Sequence, residues 1–136
     1  MPLEIKTLTD SDYENILCGW WKDWNWEAPP KKFLPDNGKG GLIIYDGDTP
    51  VCAGFMYATN SAVAWVDWII SNKNYRKKPN RSEALRLLVE SLTSICKSTG
   101  HEYVYALIKH SSLLQTYRDV GYVDGDTYNK EMIKTF

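Results

Sequence analysis

Apolar positions along this chain change period several times, and each change predicts an element. "LEIKTL" (3–8) alternates apolar and polar side chains, the period of a half-buried strand. From Thr9 or Asp10, either of which suits a helix cap, the large apolar groups fall at Tyr13, Ile16, Leu17, Trp20, Trp21 and Trp24. That spacing traces one helix face, so most of these rings belong to a core. "EAPPKKFLPDNGKGG" (27–41) carries three prolines and three glycines and reads as a long loop.

Three strand-like runs follow at 42–46, 51–59 and 62–70, joined by the turns "DGDTP" and "NS". A helix is predicted from Ser82 to about Ser98, with Leu85, Leu88, Leu92 and Ile95 inward and Gly100 beyond its end. "EYVYALIK" (102–109) predicts a strand, "SSLLQTYRDV" (111–120) a short helix, and "TYNKEMIK" (127–134) a closing strand. A long helix between two strands implies a crossover and hence a parallel pair. The order β-α-β-β-β-α-β-α-β therefore predicts an α/β fold. It would be a three-layer α/β/α sandwich on a mixed, largely antiparallel sheet, with residues 1–136 forming one domain.

Composition narrows the functional classes. The 136 residues include 16 basic and 17 acidic side chains, a net charge of −1, which does not indicate a broad nucleic-acid or membrane surface. Cys18, Cys52 and Cys96 are far apart and odd in number. They read as reduced, mostly buried thiols and argue for a cytoplasmic protein. No apolar run reaches the ~20 residues of a membrane span, and "MPLEIKTLTD" lacks the form of a signal peptide. His101 and His110 stand in no metal-ligand spacing, so no metal is expected. The compositional oddity is aromatic, with six Trp and nine Tyr.

Charge matters locally. In "YRKKPNRSEALRLLVESL" (75–92), Arg76, Lys77, Lys78 and Arg81 lie within six positions at the start of the long helix, and Ser82 is placed to cap it. Unpaired N–H groups and the positive dipole end at a helix N-terminus attract phosphate. The plainer alternative is a solvated turn that aids solubility.

Together these stretches resemble the GNAT family, the Gcn5-related acyl-CoA N-acyltransferases, over nearly the whole chain. "IKTLTDSDYENI" looks like the family's opening strand and helix, and "IIYDGDTPVCAGFMY" like its central hairpin. "LLQTYRDVGYV" matches its Tyr-x-x-x-Gly-Phe/Tyr signature through Tyr117, Gly121 and Tyr122. The turn at 76–81 corresponds to its Arg/Gln-x-x-Gly-x-Gly/Ala motif, with Arg76 in the first position. Pro79 and Arg81 replace the two small residues.

The resemblance implies an acyltransferase that passes an acetyl group from acetyl-CoA to a small-molecule or peptide amine, as a monomer or homodimer. The turn formed by Arg76, Lys77, Lys78, Asn80, Arg81 and Ser82 would hold the coenzyme's pyrophosphate. Pro79 removes one N–H donor, so the cationic side chains would compensate. Backbone N–H groups of Ile69, Ile70 and Ser71 would meet the thioester oxygen. His110 stands near where an Asn often contacts the coenzyme. Tyr117 would protonate the departing thiolate, or else simply pack beside Leu113 and Leu114.

For a general base, Asp67 is the only acid on the strand at 62–70; it would serve catalysis or satisfy a buried hydrogen bond, and water is a further route. Trp24, Trp26 and Trp65 would line an acceptor pocket for an aromatic or cationic amine, or Trp24 and Trp26 would simply cover the sheet edge. The competing expectation is a protein of the same fold that binds without catalysis.

Overall fold

The computed structural model describes residues 2–136. Five strands form a single sheet in chain order: β1 (Leu3–Thr7), β2 (Gly41–Asp46), β3 (Thr49–Tyr57), β4 (Val63–Ser71) and β5 (Tyr103–Tyr105). β1 to β4 run antiparallel to their neighbours, whereas β5 lies parallel to β4. α2 (Asn80–Ser98) makes the crossover that the parallel pair requires. α3 (Ser111–Asp119) follows β5.

Each face of the sheet buries its own apolar cluster. On one face Ala84, Leu88, Val89 and Leu92 of α2 and Tyr117 of α3 meet Leu42, Ile44, Cys52, Ala64 and Val66. On the other, Leu17, Trp20 and Trp21 meet Ile43, Ala53, Phe55 and Ile70. Leu17 ends a π-helical turn, Tyr13–Leu17, that runs into α1 (Cys18–Asp23), which carries Trp20 and Trp21. Layers of helix, sheet and helix result, as the alternating strands and amphipathic helices predict.

Several boundaries differ from expectation. The predicted loop at 27–41 contains two short 3₁₀ turns, Lys31–Phe33 and Pro35–Gly38. α2 begins two residues before Ser82, with Pro79 at its N-cap position and no side-chain cap. The strand expected at 102–109 pairs only at 103–105. The closing strand expected at 127–134 does not form: Tyr128, Met132 and Ile133 are exposed, and the segment joins no ladder. Alternation licenses a strand only where an edge offers hydrogen bonds and a face offers burial, and this segment engages neither.

Two bulges shape the middle of the sheet. Between β2 and β3 the register shifts at Ile44/Tyr45, and Asn72 closes that irregularity by donating its N–H to Val51 O (2.8 Å) and its Nδ2 to Pro50 O (2.9 Å). Between β3 and β4, Ala53 faces Ile70 but Phe55 faces Asp67, so β4 holds one extra residue around Trp68. Trp68 sits at φ 58°, a left-handed conformation uncommon for a bulky residue.

β2 and β3 approach each other so closely that a Cβ on Gly41 would strike the backbone carbonyl of Gly54. Gly41→Ala is therefore expected to cost about 1–3 kcal/mol, the usual penalty of overpacking, or more because the obstacle is backbone. Urea unfolding monitored by far-UV circular dichroism measures it. An unchanged midpoint would mean that the two strands separate freely there.

Candidate active site

β4 and β5 pair from Val63/Tyr103 to Trp65/Tyr105 and then part. Parting strands leave backbone groups without partners, and burying such groups unpaired is costly. Two side chains take over. The Tyr117 hydroxyl donates to Val66 O at 2.7 Å, and the Asp67 carboxylate accepts the Leu107 N–H at 2.9 Å. Asp67 and Tyr117, the two sequence-derived candidates for proton transfer, thus meet at the apex of the split.

Their electrostatics follow from this place. Burial pushes the Asp67 carboxyl up to about 7, opposed by the hydrogen bond from Leu107. Burial also drives the Tyr117 phenol far above its ordinary range, helped by the charges of Asp67 and Tyr122. Tyr117 is 2% exposed, and its ring meets Tyr122 edge-on at 4.9 Å. Tyr122 in turn shares a 2.6 Å hydrogen bond with Thr93 of α2.

The β4 bulge lies directly after Asp67. Ile69 stands against Gly54, whose missing Cβ leaves room for the Ile69 side chain, and Ile70 is buried in the opposite cluster. Trp68 projects beside α1, edge-on to Trp21 at 6.5 Å, and is 39% exposed. Ser71 ends the strand; its carbonyl accepts Trp24 Nε1 (2.8 Å) and its hydroxyl accepts Arg81 Nη2 (2.9 Å).

Beyond Ser71 the cationic turn divides into two groups. Arg81 points inward, donating Nη1 to Asn72 O (3.2 Å) and Tyr75 O (2.8 Å) besides its bond to Ser71. It ties β4, the turn and α2 together. Lys77 and Lys78 are exposed, and Arg76, also exposed, bonds Lys73 O through Nε. Buried Tyr75 anchors the turn by donating to Asp46 Oδ2 at 2.6 Å; that bond, then Lys77 and Asn80, holds the Asp46 carboxyl below its ordinary range. Asn80 is half-buried and Ser82 exposed at the first turn of α2.

Trp24, Trp26 and His110 form one stack. Trp24 ends α1, and Asn25 at φ 60° turns the chain. Asn25 N bonds Lys22 O and Trp26 N bonds Trp21 O, a Schellman closure with Asn in the left-handed position. That closure lays Trp26 between Trp24 (5.4 Å, 16°) and His110 (4.8 Å, 17°). Lys73 and Arg81 lie over the Trp24 ring at 5.4 and 5.6 Å. The stack bridges the end of β4 to the start of α3, across the mouth of the split. The faces of Trp26 are taken up within it.

Trp65, the third candidate acceptor residue, stands elsewhere, tilted against Tyr105 at 5.1 Å.

A five-stranded mixed sheet that splits between its parallel strands, bulges beside the split and carries α2 at its mouth is a specific architecture. Solved structures resemble its overall fold. Glucosamine-6-phosphate N-acetyltransferase from Arabidopsis thaliana matches at TM-score 0.66 and 12% identity, over 98% of this chain and 100% of that one. The ribosomal-protein-S18-alanine N-acetyltransferase of Escherichia coli matches at 0.67 and 13%, over 92% and 80%. An aminoglycoside acetyltransferase from an uncultured soil metagenomic sample matches at 0.68 and 12%, over 97% of each chain.

The fold is that of the GNAT acetyltransferases. No sequence-family model matches the chain, and no curated protein matches it. The GNAT fold therefore stands here on a sequence only 12–13% identical to these structures. Among the described residues no helix is long and apolar enough to cross a membrane, and no cluster of His, Cys, Asp or Glu is arranged to hold a metal ion.

Other residues at the split had no individual sequence signal. Tyr57, opposite Trp65, donates to Phe33 O (2.9 Å) and feels the Asp67 charge. Trp68 and Tyr105 were legible only as members of predicted strands, and Phe33 only as a loop residue. The "NW" after Trp24 is the one local hint, because Asn in a C′ position signals a helix turn.

Two outcomes are expected. Tyr117→Phe strands the Val66 carbonyl and should lower stability by about 1–3 kcal/mol in urea unfolding; no loss would mean that water already serves that carbonyl. The second concerns pH. The folded Asp67 carboxyl keeps a proton that the unfolded chain releases above about pH 4. Its stabilising effect is thus complete below that pH and is lost as pH rises through about 7. The groups acting with it are Tyr57, Tyr117 and Tyr122. Asp67→Asn should lose less melting temperature than wild type between about pH 5 and about pH 8, and parallel curves would show an ordinary carboxyl.

Proposed function

We propose that this protein is an acetyl-CoA-dependent N-acetyltransferase acting on a small-molecule or peptide amine. The observation that carries the proposal is the split, where an acid of raised pKa and a tyrosine hydroxyl flank strand backbone interrupted by a bulge. The acetyltransferases that share the fold support the same reaction class.

In this reading the extended arm of acetyl-CoA enters between β4 and β5 as an added strand would. Its pyrophosphate lies at the N-terminus of α2, where Arg76, Lys77 and Lys78 meet it and Asn80 and Ser82 border it. Arg81 keeps the turn in shape from beneath. The thioester oxygen points to backbone N–H groups around Ile69, Ile70 and Ser71. Asp67 takes a proton from the amine, directly or through water. The amine nitrogen then attacks the thioester carbon, and the tetrahedral intermediate collapses by breaking the carbon–sulfur bond.

Tyr117, released from Val66 by the incoming arm, gives its proton to the thiolate, and the second proton, shed by the acylated nitrogen, passes through water to restore the Tyr117 hydroxyl. The products are an acetamide and free CoA. The cytoplasm, where acetyl-CoA meets reduced thiols such as Cys18, Cys52 and Cys96, is the setting that suits this reading.

A second reading, a GNAT-fold protein that binds without transfer, draws support from one feature. The Tyr117 hydroxyl is fully engaged, and its acidity is suppressed by burial. Calorimetry with CoA tests the first step. Replacing Arg76, Lys77 and Lys78 by Ala should weaken binding at least tenfold, about 1.4 kcal/mol, without changing the ligand-free melting temperature. Binding should also weaken as salt rises from about 50 to about 500 mM, since exposed ion contacts are screened. Arg81→Ala should instead lower the ligand-free melting temperature. If CoA does not bind, the transferase reading fails. If CoA binds and Tyr117→Phe loses less than about tenfold in turnover, Tyr117 is a packing residue.

A further inference from the structure

On the α1 face of the split, Asp67 is surrounded by rings. Strand alternation puts Trp65 and Asp67 on the same side of β4, and Tyr57 and Phe55 face them from β3. Tyr105 lies against Trp65 from β5. Trp68 is turned to the same side by its left-handed backbone and contacts Trp21. The hydroxyl of Tyr57 pins the backbone of Phe33, drawing the 27–40 segment to the rim. Three of these rings keep substantial open surface: Trp68 at 39%, Phe33 at 46% and Tyr105 at 53%.

Apolar surface grouped around a carboxylate has a defined chemistry. Aromatic faces carry negative potential and attract cations, and a carboxylate at their centre adds a point of attachment for an ammonium. It repels anions. Side chains two residues apart on one strand face stand about 6.7 Å apart, the reach of an ammonium joined to a ring by a short alkyl chain. The stack of Trp24, Trp26 and His110 plays no such part, because its faces are packed on one another and on Lys73 and Arg81.

We infer that the amine acceptor is an arylalkylamine, a primary amine on a short chain from an aromatic ring. Its ammonium sits at Asp67, and its ring lies among Tyr57, Trp65, Trp68 and Tyr105. The inference rests on the transferase reading for the word acceptor, but the amine site can be probed without acetyl-CoA. Sugar phosphates are excluded by the lone negative charge, and polyhydroxylated aminoglycosides by the apolar walls.

Calorimetric titration of the full chain with 2-phenylethylamine, glucosamine 6-phosphate and kanamycin, each alone, tests it. 2-Phenylethylamine should bind at least tenfold more tightly than the other two. Asp67→Asn should weaken it at least tenfold, and so should Tyr105→Ala, whose exposed ring leaves the fold intact. Equal binding of the three amines, or variants indistinguishable from wild type, overturns the inference. CoA is titrated separately. CoA binding without binding of 2-phenylethylamine sinks the acceptor class and leaves the transferase standing. Ring-dependent amine binding without CoA binding sinks the transferase and leaves an amine-binding site.

Discussion

Backbone hydrogen bonding at a strand edge governs this molecule. A parallel neighbour is supplied to β4 for only three residues, and past Trp65 the polar groups of β4 and of the chain after β5 must find partners elsewhere. Tyr117 and Asp67 supply them. Everything at the site follows from that requirement. Tyr117 must be buried to reach Val66, so α3 must pack on the sheet. Asp67 must face the chain beyond β5, so it is withdrawn from water and its acidity falls. The bulge at Trp68 lets β4 keep its pairing with β3 while bending away from β5.

The same economy is visible at the other end of β4. A turn without glycines needs another means of holding its shape, and Arg81 provides it through three hydrogen bonds and a cation–π contact. A planar guanidinium suits this work better than an ammonium because its donors diverge in a fixed fork. Division of labour within one short run follows: one cation shapes the turn from inside, while Lys77 and Lys78 remain at the surface.

Much of this architecture was legible in the order of residues. Alternation at 42–71 and the 3.6-residue period of α2 specified three strands and the crossover, because one buried face is enough to impose a period. "SSLLQTYRDV" was legible as a helix, and Asp67 stood out as the only acid of its strand. The split was not legible. "ALIK" continues the alternation of "EYVY", and nothing in its own composition says that its partner has bent away. Nor does alternation distinguish "TYNKEMIK", where the partner edge is missing. The direction of Arg81 was hidden for a similar reason, since cationic side chains in a run look alike until carbonyls from three segments converge on one of them. Bulges and convergent carbonyls are relations between distant segments, and a local period cannot encode them.

Tyr117 and Asp67 close the split with side chains rather than with main chain. Rotating two side chains is therefore enough to open it, and neither strand need unpair. A guest offering one donor to Val66 and one acceptor to Leu107 replaces both backbone hydrogen bonds, and the freed Tyr117 hydroxyl and Asp67 carboxylate must be solvated in turn, so insertion gains little enthalpy. Affinity for such a guest must come from its two ends. The middle of the cleft sets only its shape, as a keyway does, and selects for a thin, extended chain with alternating polar groups.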